Sequence, residues 1–377
     1  MLNDLTNRAW AEVSLDAIAR NFNAIRKIVN KDANIMCVVK ADAYGHGAIE
    51  VGRKLLSCGA AALAVATIEE AIQLRQAEIT SPILILGYTN PRKCNEIVQH
   101  DITQTIFSYD TAKQLSDVAV GLNKKAKIHI KIDTGMTRIG LRTDKDSISV
   151  IQQISILPGI EIEGIFTHFA AADQSDKSYT NMQFDSFMQF NRELEKSGLC
   201  IPIKHVCNSA GIIECPEMHL NLVRPGIILY GLYPSSEVDK SRIYLEPALS
   251  LKARITMVKD VVAETPVSYG CTYITRHLSR IATVAIGYGD GFSRLLSNKG
   301  HVLVNGELAP IIGRICMDQC MIDVSSLKND VAVGDEVVLI GRQGTDEISA
   351  GQLADEIGTI SYEIVCAIGK RIPRIYI

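Results

Sequence analysis

Residues 35–47 read Ile-Met-Cys-Val-Val-Lys-Ala-Asp-Ala-Tyr-Gly-His-Gly. The apolar run Ile35–Val39 predicts a buried strand, and it ends on a lysine. A charged ammonium is expensive to desolvate, so Lys40 at the end of such a strand is unusual. Burial lowers the pKa of an amine, which suits a nucleophile or a base. The small residues and glycines that follow let a backbone approach a ligand closely. A surface lysine at a barrel rim would show the same local pattern, and this segment alone weighs the two readings evenly.

Working outward, apolar runs recur at Leu63–Ala66, Ile83–Leu86, Thr105–Phe107, Ile128–Ile132, Ile162–Phe166, Ile203–Val206 and Asn221–Val223. Amphipathic stretches lie between them, with helices predicted at Ala48–Ser57, Ile68–Ala77 and Tyr179–Ser197, the last stopped by Gly198. Eight strands alternating with helices predict an α/β barrel, (β/α)8. Lys40, Asp133, His168, the pair Asn208–Ser209 and Arg224 fall just past strand ends, where such a barrel places its active site.

After Pro234 the texture changes. Leu249–Lys259, Ile281–Ile286, Val302–Val304, Pro310–Ile315, Cys320–Val324 and Glu336–Ile340 read as strands, with Asn305-Gly306 as a hairpin turn. One helix is expected from Ser349, its N-cap, to Ile357, with Gly358 as stop. The loop Pro234–Lys240 marks the boundary. The expected domains are 1–240, the barrel, and 241–377, mostly β; a first strand at about 8–14 is a candidate to pack with the second domain.

The 377 residues carry 39 basic and 42 acidic side chains, a net charge of −3, which argues against a nucleic-acid binder. Hydrophobic residues are 47%, enough for a large core, yet no apolar run approaches a membrane span. The start, MLNDLTNRAWA, lacks an apolar signal core. Ten scattered cysteines without an export signal are expected as reduced, cytoplasmic thiols. Cys316 and Cys320 lack a second Cys/His pair at zinc spacing, so no metal is expected.

Chemistry concentrates in a few segments. IKIDTGMTRIG, 130–140, sets Lys131, Asp133 and Arg138 among apolar residues and glycines: a salt-bridged strand end, or an arginine aimed at a ligand oxygen. HVCNSAG and LVRPGI, 205–211 and 222–227, offer a hydroxyl and free backbone amides after the seventh and eighth strands, the usual barrel phosphate site. In the second domain, PVSYGCTY, IGYGDGFSR, GRICMDQC and TISYE present Tyr269, Tyr273, Arg314, Met317, Asp318 and Tyr362. Taken singly, each tyrosine reads more readily as core or rim than as catalytic.

Together, VVKADAYGHG, KIDTGMTRIG, NSAG, RPGI, VSYGCTY, GYGDG, GRICMDQ and TISYE resemble the fold-type III pyridoxal-phosphate alanine racemases, over essentially the whole chain from AWAEVSLDAI to KRIPRIY. The resemblance implies pyridoxal 5′-phosphate as cofactor and Lys40 as the lysine joined to it. It implies Tyr269 as the second acid/base, entering from the partner of a homodimer. Arg224 would face the pyridine nitrogen, with His205 behind it and His168 against the ring. Tyr44, Ser209, Gly226, Ile227 and Tyr362 would cradle the phosphate. Arg138 would donate to the phenolic oxygen and the substrate carboxylate, and Met317 and Asp318 would contact substrate. Lys131 matches a position often carbamylated in the family, where the added negative charge would hold Arg138.

Racemisation removes a proton from one face of the α-carbon and returns it to the other, most simply with two acid/base groups. A phenol with an ordinary pKa near ~10 needs help to lose its proton, and a positive field from Arg314 or His168 is one expectation. The implied role is L-/D-alanine interconversion, supplying D-alanine for peptidoglycan. Tyr273, Met317 and Tyr362 suggest a small pocket and a small substrate. A racemase of serine or another amino acid, and a non-catalytic carrier of the cofactor, are the alternatives. Arg224 argues against related decarboxylases, and the full second domain argues against a carrier.

Overall fold

The computed structural model describes residues 6–377. Met1–Leu5, part of the N-terminal reading above, lie outside the described residues. The chain forms two compact units: Ile18–Ala43 with Ala48–Glu246, and the segment through Ala17 with Tyr44–Gly47 and Pro247–Ile377.

The chain enters through a strand, Ala9–Val13 (β1), which belongs with the later unit. The first unit holds eight parallel strands: β2 Asn34–Val38, β3 Ala62–Val65, β4 Ile83–Ile85, β5 Thr103–Ile106, β6 Ala126–Lys131, β7 Ile160–Phe166, β8 Ile203–His205 and β9 Leu222–Val223. They pair in the order β8-β7-β6-β5-β4-β3-β2-β9. Backbone bonds from Asn221 N–H to Lys204 O (3.2 Å) and Arg224 N–H to Cys207 O (3.1 Å) bring the ends together into a nearly closed barrel. The (β/α)8 expectation is borne out. β3 and β4, Ala-Leu-Ala-Val and Ile-Leu-Ile, are apolar and buried throughout, because a parallel sheet covered by helices is buried on both faces.

Short polar residues start the intervening helices. Thr67 makes a capping box with Glu70 ahead of Ile68–Gln76, Ser108 caps Tyr109–Gly121, and Asp144 caps Lys145–Ser155. Ser178–Lys196 buries Phe187, Phe190 and Leu194, the apolar stripe read from the sequence.

In the second unit, Leu249–Val261 (β10) pairs with β1, with Ser279–Val284 and with Glu336–Gln343. The last pairing closes six strands on themselves through His301–Val304, Glu307–Ile312 and Cys320–Asp323. Asn305 and Gly306, at φ +52° and +82°, make the predicted hairpin between His301–Val304 and Glu307–Ile312. Ser349 caps Ala350–Ile357 with Gln352, and Gly358 ends it at φ +74°. One expectation fails: this unit holds a second helix, Ser361–Cys366, where a single one was expected. Its cap residue, Ile360, makes no side-chain cap bond, so the usual signal is missing.

Among the described residues no helix is long and apolar enough to cross a membrane, and no group of three or more His, Cys, Asp or Glu side chains could hold a metal. All ten cysteines are free.

Candidate active site

Lys40 lies two residues past β2, and the four residues after it, Ala41–Tyr44, make a left-handed turn at φ 51–54°. None is glycine, so each carries a steric cost of about 1–2 kcal/mol. Polar contacts over-determine the turn. Glu70 Oε1 accepts from Ala41 N–H (2.6 Å), and Oε2 accepts from Ala66 N–H (2.8 Å). Asp42 Oδ1 accepts from Ala48 N–H (2.9 Å), holding the start of the next helix. Such strain persists where surroundings enforce it, typically at functional sites.

Arg224 lies just past β9 and is buried. Its Nη1 donates to His205 Nδ1 (2.6 Å); its Nη2 donates to Thr167 O (2.9 Å) and Val206 O (3.0 Å) and lies 3.4 Å from His168 Nδ1. The His205 ring stacks on Phe166 at 4.6 Å and 6°, and the Arg224 guanidinium sits 5.3 Å from the same ring. Burial, then Arg138, lowers the Arg224 pKa to about 10, still charged at neutral pH.

Lys131 is buried at the end of β6 and donates to Ile132 O (2.6 Å). Burial, with Arg224 and Arg138 beside it, lowers its pKa to about 7; Asp133 opposes them. The loop 133–141 folds back on this strand end through Asp133 N–H to Leu141 O (2.7 Å) and Leu141 N–H to Lys131 O (2.9 Å). Gly140 permits this, since a Cβ there would lie 2.6 Å from Asp133 N. Arg138, on the same loop, is exposed.

His168 is held well below the usual histidine range by burial, then by Arg224, Arg138, Lys131 and Lys40. This corrects one expectation: a neutral His168 brings no positive field to help a phenol ionise. Arg224, Arg138, Lys131 and Lys40 thus all bear on one ring, an arrangement suited to an anion. Nearby, Ser209 Oγ accepts from Gly226 N–H (2.9 Å), which ties the turn after β8 to the turn after β9.

The remaining candidates belong to the second unit. The rings of Tyr44 and Tyr362 lie 6.1 Å apart. Gly45 and Gly47 seat this segment: a Cβ at Gly45 would meet Val365 O at 2.2 Å, and one at Gly47 the Tyr376 hydroxyl at 1.9 Å. Tyr269 is 72% exposed on a tight turn, with Ser268 at φ +65°. Ser268 Oγ donates to Arg314 O (2.6 Å) and lies 3.5 Å from Cys316 Sγ, tying the Tyr269 turn to the loop that bears Met317 and Asp318. Met317 is exposed, and Asp318 pairs with Arg371 at 2.7 Å. Tyr273 packs instead against Val267, Ile281 and Ile312.

The sequence reading missed three residues. His129, buried on β6, meets His205 Nε2 through its Nδ1 at 2.8 Å. Its signal was present: in Lys127-Ile-His-Ile-Lys131 the polar residues alternate with apolar ones, the period of one strand face. For Glu70 the only local signal is its capping-box spacing from Thr67. Asp290, buried in the GYGDG loop, takes a bidentate pair from Arg8 (2.6 and 3.0 Å) and accepts from Gly287 N–H (3.1 Å). The loop rests on Tyr288 N–H to Cys316 O (3.0 Å) and Gly289 N–H to Met317 O (2.8 Å).

Comparison with known proteins agrees with this arrangement. Residues 13–234 match the family description "Alanine racemase, N-terminal domain", and 248–376 match "Alanine racemase, C-terminal domain". An alanine racemase of Methanococcus maripaludis is 53% identical over 98% of both chains. The alanine racemase structure of Clostridium difficile 630 superposes with a TM-score of 0.95 at 44% identity, covering 99% of this chain and 96% of that one. That of Bartonella henselae, described with covalently bound pyridoxal phosphate, gives 0.85 at 31% identity over 98% and 100%. Both halves match in order, so the chain belongs to the alanine racemase family, a family of isomerases.

Proposed function

We propose that the protein interconverts L- and D-alanine by a two-base mechanism, with Lys40 serving one face of the α-carbon and Tyr269 the other. The observation that carries the reading is the anchoring of Arg224. His205 Nδ1, Thr167 O and Val206 O hold one edge of the guanidinium. Among the described residues' hydrogen bonds, its Nε–H and one N–H of Nη1 are left uncommitted.

The residues fit pyridoxal 5′-phosphate. The cations around His168 suit an anionic ligand, and the Ser209–Gly226 turn, with Ile227 beside it, offers a hydroxyl and backbone amides to a phosphate. When bound, the cofactor supplies an electron sink for negative charge at the α-carbon. Guanidinium stays charged and can only donate, so Arg224 would hold a ring nitrogen placed opposite it unprotonated and leave the sink weak. That favours prompt return of the proton over side reactions.

Residues 1–240, apart from the segments through Ala17 and at Tyr44–Gly47 that belong with the later unit, then act as the cofactor-binding domain, with Lys40 as the attachment point and His168 against the ring; Tyr44 and Tyr362 of the later unit would serve the phosphate. Residues 241–377 bring Tyr269, Met317 and Asp318 to a partner's substrate in a homodimer. Arg138 receives the substrate carboxylate. Burial and the neighbouring arginines lower the Lys131 pKa to about 7, so a neutral amine is available near neutral pH to take up CO2 as a carbamate and hold Arg138. The setting is cytoplasmic, with D-alanine going to peptidoglycan.

Chiral chromatography tests this after incubation with pyridoxal phosphate and a mixture of L-alanine, L-serine, L-lysine and L-arginine. Dominant D-alanine supports the reading. Dominant D-serine or a basic D-amino acid keeps the mechanism and overturns the substrate. No D-product sinks the catalytic reading.

A further inference from the structure

We propose that His129 is a positioning residue for the racemase reaction, fixing the proton of His205 on Nε2 so that His205 presents a lone pair to Arg224. The proposal rests on the reading that Arg224 acts in the reaction.

Arg224 has only donors, so the 2.6 Å contact of its Nη1 with His205 Nδ1 requires Nδ1 to accept. A neutral imidazole carries its one proton on the other nitrogen, here Nε2. That N–H lies 2.8 Å from Nδ1 of His129, which must then accept in turn and hold its own proton on Nε2. Both rings are buried and uncharged: burial and Arg224 hold His205 well below the usual histidine range, and bring His129 to about 3. The donors and acceptors of Arg224, His205 and His129 match in one direction only. With the opposite tautomer, His205 would point an N–H at an arginine N–H, and the guanidinium would be pushed off its seat.

The backbone is built around this ring. The register between β6 and β7 slips between Ile128↔Ile162 and His129↔Gly164, leaving Glu163 unmatched. A bulge of this kind re-aims a side chain. It brings Gly164 beside His129, where a Cβ would lie 2.5 Å from Cε1 and Nδ1 of the imidazole. Only glycine leaves room for the ring. Phe166, two residues on, stacks on His205 and fixes the second ring of the chain. A histidine whose sole task was filling space would need neither the register slip nor the matched nitrogens.

Two measurements test this. The first is 15N NMR of histidine-labelled protein, with and without cofactor. The expected result is an unprotonated Nδ1 and protonated Nε2 on His205, and an unprotonated Nδ1 on His129. A proton on Nδ1 of His205 overturns the relay and leaves the role of Arg224 standing. The second compares His129→Asn with His129→Leu. The two side chains share a shape, but asparagine puts a carbonyl oxygen where Nδ1 stood and leucine puts nothing. His129→Leu should lose about tenfold or more in kcat relative to His129→Asn, with KM for alanine little changed. Thermal melts of both variants register any general loss of packing. Equal losses in the two variants overturn the positioning role. If Arg224→Lys also leaves catalysis unaltered, the reading of Arg224 has failed as well.

Discussion

Glu70 ties the Lys40 turn to the end of the neighbouring strand β3: one carboxylate oxygen accepts from Ala41 N–H at 2.6 Å, the other from Ala66 N–H at 2.8 Å. Replacing it with glutamine sets an amide N–H2 against a backbone N–H. The turn then loses a charge-assisted restraint against its left-handed strain. Glu70→Gln is expected to lower kcat/KM about tenfold and weaken cofactor retention, read by dialysis and absorbance. Ala41→Gly should do the reverse of what glycine usually does: at φ +51° and exposed, it should leave stability unchanged or raise it by about 0.5–1 kcal/mol.

Lys131 gives a pH signature. Its folded pKa, about 7, lies below the unfolded value, so the folded state resists its charge. The cost is full below pH ~7 and is relieved as pH rises toward the unfolded pKa, ~10.4. In CO2-free buffer, Lys131→Met should therefore gain stability over the parent most at pH ~6. The gain should shrink by about 2–3 kcal/mol by pH ~9, read from urea melts. A gap that widens with pH would contradict the assignment.

Asp290 is a structural keystone of the GYGDG loop rather than a reacting group. Asp290→Asn breaks a bidentate pair to Arg8, whose side chain is 39% exposed, so the cost is moderated by solvent. A loss of about 2 kcal/mol in unfolding free energy is expected, with KM rising because Gly289 and Met317 share a backbone bond.

The dimer reading has its own test. A Lys40→Ala variant mixed with a Tyr269→Phe variant should recover partial activity once subunits exchange, because one intact site forms per mixed pair. No recovery after verified exchange would place both groups in one chain.

The barrel was legible because short strands rich in apolar residues, such as Ala62–Val65 and Ile83–Ile85, recur between amphipathic helices. Asn305-Gly306 and the Ser349–Gly358 helix were legible because their backbone geometry demands particular residues. The helix Ser361–Cys366 was not, since it starts without a side-chain cap. Nor was the left-handed turn at Ala41–Tyr44, which local preference opposes and distant groups such as Glu70 impose. Lys40, Arg224 and His168 stood out as polar residues just past strand ends and His205 entered through the family resemblance, whereas His129 lay inside a strand and needed its partner to be noticed.

The central claim is that two different side chains serve the two faces of the α-carbon. It is tested most directly by following α-proton exchange in D2O from L-alanine and D-alanine separately, for the parent and for Tyr269→Phe. The account predicts that the parent labels both enantiomers, while Tyr269→Phe suppresses labelling of one enantiomer far more than the other. Equal labelling of both, at the parent's rate, would contradict it.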